Sequence, residues 1–235
     1  MDSLYESFER MARAAGKDLA EIAEMPVPEV IEEDDDDFER VRSERERVFF
    51  TSLPDLCAGM TFESWYTRAP IADAVKKVRT WAEAYPDVEA GLFLTSHESG
   101  TGKTHMAVAC GRLLAAKGVR VRLVNVVALL NRIRKSFSND GPGIDLEALG
   151  RYCDVLIFDD LGAEDPKPWV VEKFYLLLNT AVTNGTRLIV TSNDDYGVLA
   201  AKLDKRVVDR IVGATDRIDF ETTSYRVLQH KRRKA

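Results

Sequence analysis

Cysteine and histidine are scarce in this chain of 235 residues, which contains three of each. The cysteines (Cys57, Cys110 and Cys153) lie far apart and form no CxxC pair, so the sequence indicates neither a disulfide framework nor a zinc site. Long apolar runs are also lacking, since none approaches the roughly 20 residues that a membrane-spanning helix requires. The charged N-terminus does not resemble a signal peptide. We therefore expect a cytoplasmic protein that does not associate with a membrane.

The net charge of −6 can be traced to one short segment. Residues 32–40, EEDDDDFER, contain seven acidic residues and one basic residue, so the remainder of the chain is neutral on balance. The low isoelectric point therefore does not exclude nucleic-acid binding by a local basic patch. The acidic run itself is typical of a solvated linker.

The first 55 residues differ in composition from the remainder of the chain. An amphipathic helix is predicted close to the N-terminus, because Leu4, Phe8 and Met11 fall on one stripe. Apolar residues are too few for this segment to fold alone. We therefore expect a small helical or partly disordered arm over residues 1–55, and one folded domain over residues 56–235. The apolar stripe of the arm fits either docking onto a partner or folding back on its own domain.

From about residue 60 the hydrophobic pattern alternates between strand and helix. Strands are predicted at 91–96, 119–126, 154–160, 186–193 and 217–221. The helices predicted between them include 103–117, 129–137 and 168–182. Strands separated by helices of about 10–15 residues form right-handed βαβ units, which build a parallel sheet covered on both faces. The sequence thus predicts an α/β fold with a five-stranded parallel sheet between helices.

A glycine-rich loop, SGTGKT at residues 99–104, lies between the first predicted strand and the helix after it. Two glycines allow the backbone to turn so that successive N–H groups point at phosphate oxygens, and the helix N-terminus adds its dipole. In such loops the lysine, here Lys103, reaches the β- and γ-phosphates, and the next hydroxyl, here Thr104, binds Mg²⁺. The residues expected to contact nucleotide are Ser99, Gly100, Thr101, Gly102, Lys103, Thr104 and His105.

The first position of this loop departs from the usual spacing, because His97 stands where a glycine is expected. The first glycine serves mainly the turn, whereas the amides that face the anion come later in the loop. Histidine is compatible with such a turn if its φ is negative. We therefore interpret His97 as a turn residue, and expect altered loop geometry with nucleotide binding retained.

Two later strands end in polar residues that would complete the site. LIFDD ends in Asp159, which is placed to hold Mg²⁺, and Asp160, which is placed to polarise an attacking water. LIVTSN ends in Asn193, which is placed to contact the γ-phosphate or that water. The alternative is that Ser192 or Asn193 forms an ordinary strand-to-helix cap. Taken in this order, the three features predict binding of ATP with Mg²⁺.

Four segments together carry a resemblance to a known group: GTGKTHMAVACGRLL, DVLIFDDLG, LIVTSN and LDKRVVDRIVGATDRIDFETTSYR. They resemble the DnaC/DnaI-type helicase loaders and the related IstB-type transposition ATPases, both of the AAA+ class of P-loop NTPases. The resemblance covers about residues 60–226. It implies an ATPase with slow or partner-stimulated turnover, which assembles into a homo-oligomer through its AAA+ domains.

The resemblance also assigns roles to arginines near the C-terminus. Arg210 matches the arginine finger, which reaches the γ-phosphate bound by a neighbouring subunit, and Arg206 is the second candidate. Arg226 in SYR matches the sensor arginine that contacts nucleotide in its own subunit. A guanidinium suits both roles because its fork spreads positive charge over phosphate oxygens.

Single-stranded DNA is a further partner that the resemblance implies. In the loaders, the region that matches the basic helix after the second strand binds single-stranded DNA, through cations on the backbone and aromatic rings on the bases. The candidate contacts are Arg132, Arg134, Lys135 and Phe137, with Lys167 and Trp169 as a second group. The alternative is that the aromatic rings pack in the core while the cations are solvated.

The favoured function is loading of a replicative hexameric helicase onto single-stranded DNA, with ATP bound between subunits and hydrolysed to trigger release. By resemblance, the arm over residues 1–55 would grip the helicase. Delivery of a transposase to target DNA, as in the IstB-type ATPases, uses the same chemistry. A small-molecule P-loop kinase is a third reading, although it does not explain Asn193 and the late arginines. A nucleotide-gated adaptor that hardly hydrolyses ATP is the fourth.

Overall fold

The computed structural model of the chain describes residues 57–65, 69–136, 146–163, 166–225 and 227. These residues all lie within one compact unit, Glu39–Ala235. The arm over residues 1–55, Phe137 and Arg226 lie outside the described residues. What was predicted for them therefore stays a prediction, as does the domain boundary at residue 56.

Strands and helices alternate along the described residues. The strands are β1 (Gly91–Thr95), β2 (Val121–Asn125), β3 (Val155–Leu161), β4 (Arg187–Ser192) and β5 (Thr215–Asp219). The helices are α1 (Ala72–Ala84), α2 (Lys103–Ala116), α3 (Val126–Ser136), α4 (Leu146–Arg151), α5 (Pro168–Thr183), α6 (Tyr196–Lys202) and α7 (Lys205–Ala214). Among the helices of the described ranges, none combines the length and apolar composition needed to cross a membrane.

The strands form one sheet in the order β2-β3-β4-β1-β5, and all neighbouring strands are parallel. The predicted five-stranded parallel sheet is therefore confirmed. β4 lies between β3 and β1, and all three strands run in the same direction. The carboxyl ends of β1, β3 and β4 therefore lie side by side at one edge of the sheet. In open α/β sheets, ligands bind outside the carboxyl ends of the strands, where the strand order reverses. The sheet order thus brings the loops that carry the predicted site together.

Hydrophobic clusters cover both faces of the sheet. On one face, Val78 of α1 and Met106 of α2 belong to a first cluster with buried residues of the strands. On the other face, Phe158 of β3 and Phe174 of α5 belong to a second cluster, with ring centroids 5.2 Å apart in an edge-to-face arrangement. Since β3 is covered on both sides, the acidic residues at its end rest on a packed support.

One predicted boundary differs because a side chain caps a helix. The second strand was predicted over 119–126, followed by a helix from 129, but β2 ends at Asn125 and α3 begins at the next residue. Asn125 Oδ1 accepts a hydrogen bond from the N–H of Ala128 at 3.0 Å. This contact satisfies one of the free amides of the first turn, so the helix begins earlier than the apolar pattern indicated.

The last strand also differs from its prediction over 217–221. β5 covers Thr215–Asp219 and pairs with β1 along its whole length. Only Thr215 and Ile218 are buried in this edge strand, so the alternation of apolar and polar residues is weak. Because the apolar residues of this region are Ile218 and Phe220, the sequence pattern predicts the strand two residues too far towards the C-terminus.

Candidate active site

The loop between β1 and α2 has the backbone geometry of a phosphate cradle. Gly100 and Gly102 have φ angles of 71° and 111°, which glycine adopts without strain. α2 begins at Lys103, so the N–H groups of its first turn continue from the loop. A Cβ atom at Gly102 would overlap the ring of Trp65. Space as well as backbone conformation therefore requires glycine at this position.

The ammonium group of Lys103 is buried beside the loop, where the residue is 6% exposed. Its Nζ donates hydrogen bonds to Asn193 Oδ1 at 2.8 Å, the Glu98 carbonyl at 3.1 Å and Thr101 Oγ1 at 3.3 Å. Burial lowers the pKa of Lys103, although nearby carboxylates oppose the shift. A buried cation held by neutral oxygens favours an anion at this place, and a phosphate group fits that requirement.

The carboxylate of Asp159 meets two hydroxyl groups at the end of β3. Asp159 Oδ1 accepts hydrogen bonds from Thr104 Oγ1 at 2.8 Å and Thr191 Oγ1 at 2.7 Å. Burial raises the pKa of Asp159, and the two hydroxyl hydrogen bonds oppose this rise. A hydroxyl and a carboxylate at this distance are the hard oxygen ligands that Mg²⁺ prefers. The residues present thus fit the predicted metal, and their role as its ligands stays a prediction.

Asp160 lies in an irregular part of β3. The pairing with β4 shifts register between Phe158 and Leu161, and the φ of Asp160 is 64°, which is unusual for a residue other than glycine. The N–H of Asp160 donates to Thr191 Oγ1 at 2.9 Å, which holds this conformation. Such a bulge redirects a side chain. The role of Thr191 beneath both acids was not predicted, although it belongs to the polar end of LIVTSN.

Asn193 connects the lysine with the second acid. Its Oδ1 accepts the hydrogen bond from Lys103, and its Nδ2 lies 3.5 Å from Asp160 Oδ1. The cap of α6 is another residue, Asp195, whose Oδ1 accepts from the N–H of Val198 at 2.9 Å. Since Asp195 caps the helix, the capping alternative for Asn193 does not hold, and the side chain faces the predicted site.

His97 is exposed in the turn before the loop. Among the described non-glycine residues only Asp160 and Asp204 have positive φ, so the φ of His97 is negative and the turn does not require glycine. Ser96 Oγ accepts a hydrogen bond from the N–H of Glu98 at 3.2 Å, which closes the turn around His97. This turn fixes the Glu98 carbonyl that Lys103 contacts.

We expect His97→Gly to leave ATP affinity and the rate of hydrolysis within about twofold, because the turn depends on Ser96 and Glu98 and not on the imidazole. Equilibrium binding of a fluorescent ATP analogue and phosphate release would measure the two quantities. His97→Ala is the matched control, since it removes the ring and keeps a Cβ atom. If both variants weaken ATP binding equally and strongly, the imidazole contacts the nucleotide and our interpretation is wrong.

An aromatic group lies against the loop on the side of α2. The ring centroid of Trp65 is 4.8 Å from that of His105 and 5.7 Å from that of Tyr225. His105 Nε2 lies 2.7 Å from the Thr61 carbonyl, which can only accept, so Nε2 donates. Burial lowers the pKa of His105, which favours the neutral ring. The sequence did not single out Trp65, and the contact of His105 with nucleotide stays a prediction.

The two arginines predicted as finger candidates lie on α7 and differ in their surroundings. Arg206 is bound within its own chain, since Nε and Nη2 donate to the two carboxylate oxygens of Asp204 at 3.2 and 3.3 Å. Its guanidinium also lies over the Tyr175 ring, 5.4 Å from the centroid. Arg210 is exposed and forms no ion pair with any described residue. This difference favours Arg210 over Arg206 for contact with a second subunit.

The basic residues predicted to bind DNA fall into two groups. On α3, Arg132, Arg134 and Lys135 are exposed, whereas Ile133 is buried in the second cluster. α3 thus directs its cations away from the core. DNA binding by these residues stays a prediction.

In the second group, Lys167 is exposed, whereas Trp169 is partly buried and packs against the second cluster. Packing of this ring is the alternative that the sequence left open. A DNA contact by either residue is therefore still a prediction, with less geometric support than the cations of α3.

Comparisons with known proteins agree with this geometry. The model of the family described as "IstB-like ATP binding protein" matches residues 3–235. The replicative helicase loader DnaC of Buchnera aphidicola subsp. Baizongia pistaciae is 28% identical over 141 residues, which are 59% of this chain and 57% of that protein. DnaC of Escherichia coli strain K12 is 24% identical over 157 residues, 66% of this chain and 63% of that protein. The matches thus span less than two thirds of either relative.

A solved structure extends the comparison to the fold. The crystal structure of the DnaC helicase loader aligns with a TM-score of 0.62 at 23% identity, and the alignment covers 71% of this chain and 99% of that chain. At this level of identity the likeness concerns the fold. The predicted P-loop fold, a five-stranded parallel sheet between helices, is therefore confirmed.

Proposed function

Because the chain belongs to the family of IstB-like ATP-binding proteins, we propose that it is an ATPase that loads a replicative hexameric DNA helicase onto single-stranded DNA. One observation carries the chemistry. At the carboxyl ends of neighbouring strands, Lys103 donates a hydrogen bond to Asn193, and Thr104 donates one to Asp159. Helicase loading, as the task that this ATPase performs, is supported by the likeness to proteins named replicative helicase loader DnaC.

Nucleotide binding uses the loop and the start of α2. The amides of residues 100–104 and the Lys103 ammonium hold the β- and γ-phosphates, while Thr104 and Asp159 hold Mg²⁺. When bound, Mg²⁺ neutralises phosphate charge and orients the leaving group. Lys103 then exchanges the Asn193 oxygen for phosphate oxygens. The exchange releases the Asn193 side chain to contact the γ-phosphate.

Hydrolysis requires a base and a second subunit in this proposal. Asp160 accepts the proton of the attacking water, and Asn193 connects this base with the γ-phosphate. Arg210 of a neighbouring subunit stabilises the charge that develops on the transferred phosphoryl group. Arg226 contacts nucleotide in its own subunit, which is supported by its neighbour Tyr225, whose N–H donates to the Gly100 carbonyl at 2.8 Å. An isolated subunit lacks Arg210 of a neighbour, so turnover is slow until the subunits assemble.

Single-stranded DNA binds the cations of α3 in this proposal. The position of α3 allows bound DNA to influence the ATP site. β2 pairs with β3 so that Asn125, the residue before α3, lies opposite Asp159. A DNA-induced shift of α3 therefore reaches the acidic end of β3 directly. This connection gives DNA a route by which it stimulates hydrolysis.

The arm over residues 1–55 provides the test of helicase loading. We expect the full chain to co-purify with its cognate hexameric helicase, and the chain that lacks residues 1–55 to lose the helicase but still bind ATP. Size-exclusion chromatography with and without ATP measures association with the helicase. Binding of a fluorescent ATP analogue measures affinity for ATP. Full-length Lys103→Ala is the matched control, since its arm is intact. Failure of the full chain to bind the cognate helicase would contradict the proposal.

Delivery of a transposase is the second candidate, and one observation favours it. The IstB-like family model matches the chain from residue 3, so it includes the arm, whereas the DnaC relatives match only 59% and 66% of the chain. Co-purification with a transposase in place of the helicase, again dependent on residues 1–55, would support this candidate.

A further inference from the structure

A lysine outside the phosphate site joins the loops that follow β3 and β4. Lys202, the last residue of α6, donates from Nζ to Asp194 Oδ2 at 2.7 Å and to the Gly162 carbonyl at 2.9 Å. Asp194 directly follows Asn193, and Gly162 lies two residues after Asp160. The side chains of Lys202 and Asp194 are only 33% and 20% exposed, so the ion pair is partly shielded from solvent. Lys202 therefore contacts both loops that carry the polar residues of the site.

The two loops are closely packed where Lys202 binds them. Gly162 has a φ of 88°, and a Cβ atom there would lie 2.6 Å from Asp194 Oδ2. Ser192 Oγ donates to the Leu161 carbonyl at 2.7 Å, and Thr95 Oγ1 donates to the Asp194 carbonyl at 3.1 Å. Because packed interiors transmit displacement, a movement of the loop after β4 also moves the groups that Lys202 binds.

The connection from Lys202 to the candidate arginine finger is short. Leu203 is 4% exposed, and the next residue, Asp204, caps α7 by accepting from the N–H of Arg206 at 2.8 Å. Asp204 holds a φ of 135°, which is rare outside glycine, and its side chain caps α7 in this conformation. α7 carries Arg210, and only the buried Leu203 and the capping Asp204 separate it from α6.

We propose that Lys202 is a positioning residue that couples nucleotide sensing at Asn193 to the presentation of Arg210. The inference rests on the proposed function, in which Arg210 acts on the ATP of a neighbouring subunit. With Lys103 bound to Asn193, the loop after β4 holds α6 and α7 in one position. When Asn193 turns to the γ-phosphate, Asp194 moves with it and carries Lys202, α6 and α7. A subunit then offers its arginine only while its own site holds ATP, so hydrolysis is coordinated between neighbours.

Lys202→Met removes this coupling and leaves the nucleotide contacts in place. We expect its ATP affinity to stay within about twofold, while the hydrolysis rate of the assembled protein falls roughly 3- to 10-fold. Lys202→Arg, which keeps the charge and the donors, restores most of the rate. Lys205→Met removes an exposed cation at the start of α7 and is the matched control with an unchanged rate. Where Lys202→Met fails to fold, Asp194→Asn weakens the same ion pair and goes through the same assays.

Mixing of subunits separates the coupling from a general structural role. Asp160→Asn subunits bind ATP and offer Arg210 without hydrolysing, whereas Arg210→Ala subunits keep a working site and lack the finger. Their mixture recovers hydrolysis if the arginine acts between subunits. Lys202→Met subunits are expected to recover activity with Asp160→Asn, which supplies an arginine to them. With Arg210→Ala, which needs an arginine from them, they are expected to give roughly 3- to 10-fold less recovery than Asp160→Asn subunits give.

Each outcome of the mixing experiment decides a different point. If Lys202→Met rescues Arg210→Ala as well as Asp160→Asn does, Lys202 does not control Arg210, and the coupling is wrong. If Lys202→Met is not rescued by Asp160→Asn, the defect lies in its own ATP site, and the coupling is wrong. If Asp160→Asn and Arg210→Ala do not complement each other, Arg210 does not act between subunits. In that case the proposed function fails at this step, and the coupling fails with it.

Discussion

Lys103→Ala is expected to abolish ATP binding at concentrations that saturate the unsubstituted protein, with a loss of affinity of about 100-fold or more. Lys103 is the buried cation of the loop, and alanine removes every charge-assisted hydrogen bond that it offers to the phosphates. Each such bond contributes about 1.5–3 kcal/mol, and each 1.4 kcal/mol is tenfold in affinity. Equilibrium binding of a fluorescent ATP analogue measures the loss, and the nucleotide-induced rise of the melting temperature should disappear with it.

The control for this substitution is Lys76→Ala, because Lys76 is an exposed lysine of α1 and is not among the residues that form the site. It should bind ATP as the unsubstituted protein does. The fold without nucleotide should survive Lys103→Ala, because the substitution removes a buried charge whose pKa burial already lowers. A Lys103→Ala protein that folds and binds ATP with unchanged affinity would contradict the assignment of the loop as the nucleotide site.

Asp160→Asn is expected to lower the rate of hydrolysis on the order of 100-fold or more while ATP affinity is retained. Asparagine keeps the size of the side chain and tolerates the φ of 64° at this position, but its amide does not accept the proton of the attacking water. Single-turnover hydrolysis and phosphate release would measure the effect. Asp73→Asn, an exposed carboxylate on α1, is the control that should leave the rate unchanged.

The same measurement distinguishes the remaining readings of the site. A rate that does not change in Asp160→Asn would indicate a nucleotide-gated adaptor, in which ATP is bound and hardly hydrolysed. Transfer of phosphate to a small-molecule acceptor would indicate a kinase. Release of phosphate without a phosphorylated acceptor, lost in Asp160→Asn, is the result expected of an ATPase.

The convergence of the site residues could be predicted because the carboxyl ends of parallel strands share one edge of the sheet. Asp159 and Asp160 lie at the end of β3, whereas Lys103 and Asn193 come after β1 and β4. The observed sheet order places these three strands side by side. The resemblance to the DnaC/DnaI and IstB group rested on the same segments and is confirmed at the level of family and fold. Local sequence is sufficient to predict these site residues, because their polar side chains lie at the strand ends themselves.

Contacts that depend on register could not be predicted in the same way. The hydrogen bonds that join Thr191 to Asp159 and Asp160 depend on the bulge in β3. A local sequence pattern does not predict such a shift of register between two strands. Trp65 reaches Gly102 from a distant part of the chain, so its place beside the loop depends on tertiary packing. The distinction between Arg206 and Arg210 likewise required the ion pair with Asp204 and the position of the Tyr175 ring.

The left-handed conformation of Asp160 has a consequence for how sequences of this kind can diverge. Aspartate and asparagine enter that region of backbone space far more readily than residues with longer or branched side chains. The identity of the acid at position 160 is therefore restricted twice, by its carboxylate and by its backbone. A change to glutamate would keep the charge but add one methylene and backbone strain at this φ, so the conformation that Thr191 holds favours aspartate or asparagine. The choice of residue at this strand end thus depends on the partner strand as well as on the chemistry of the site.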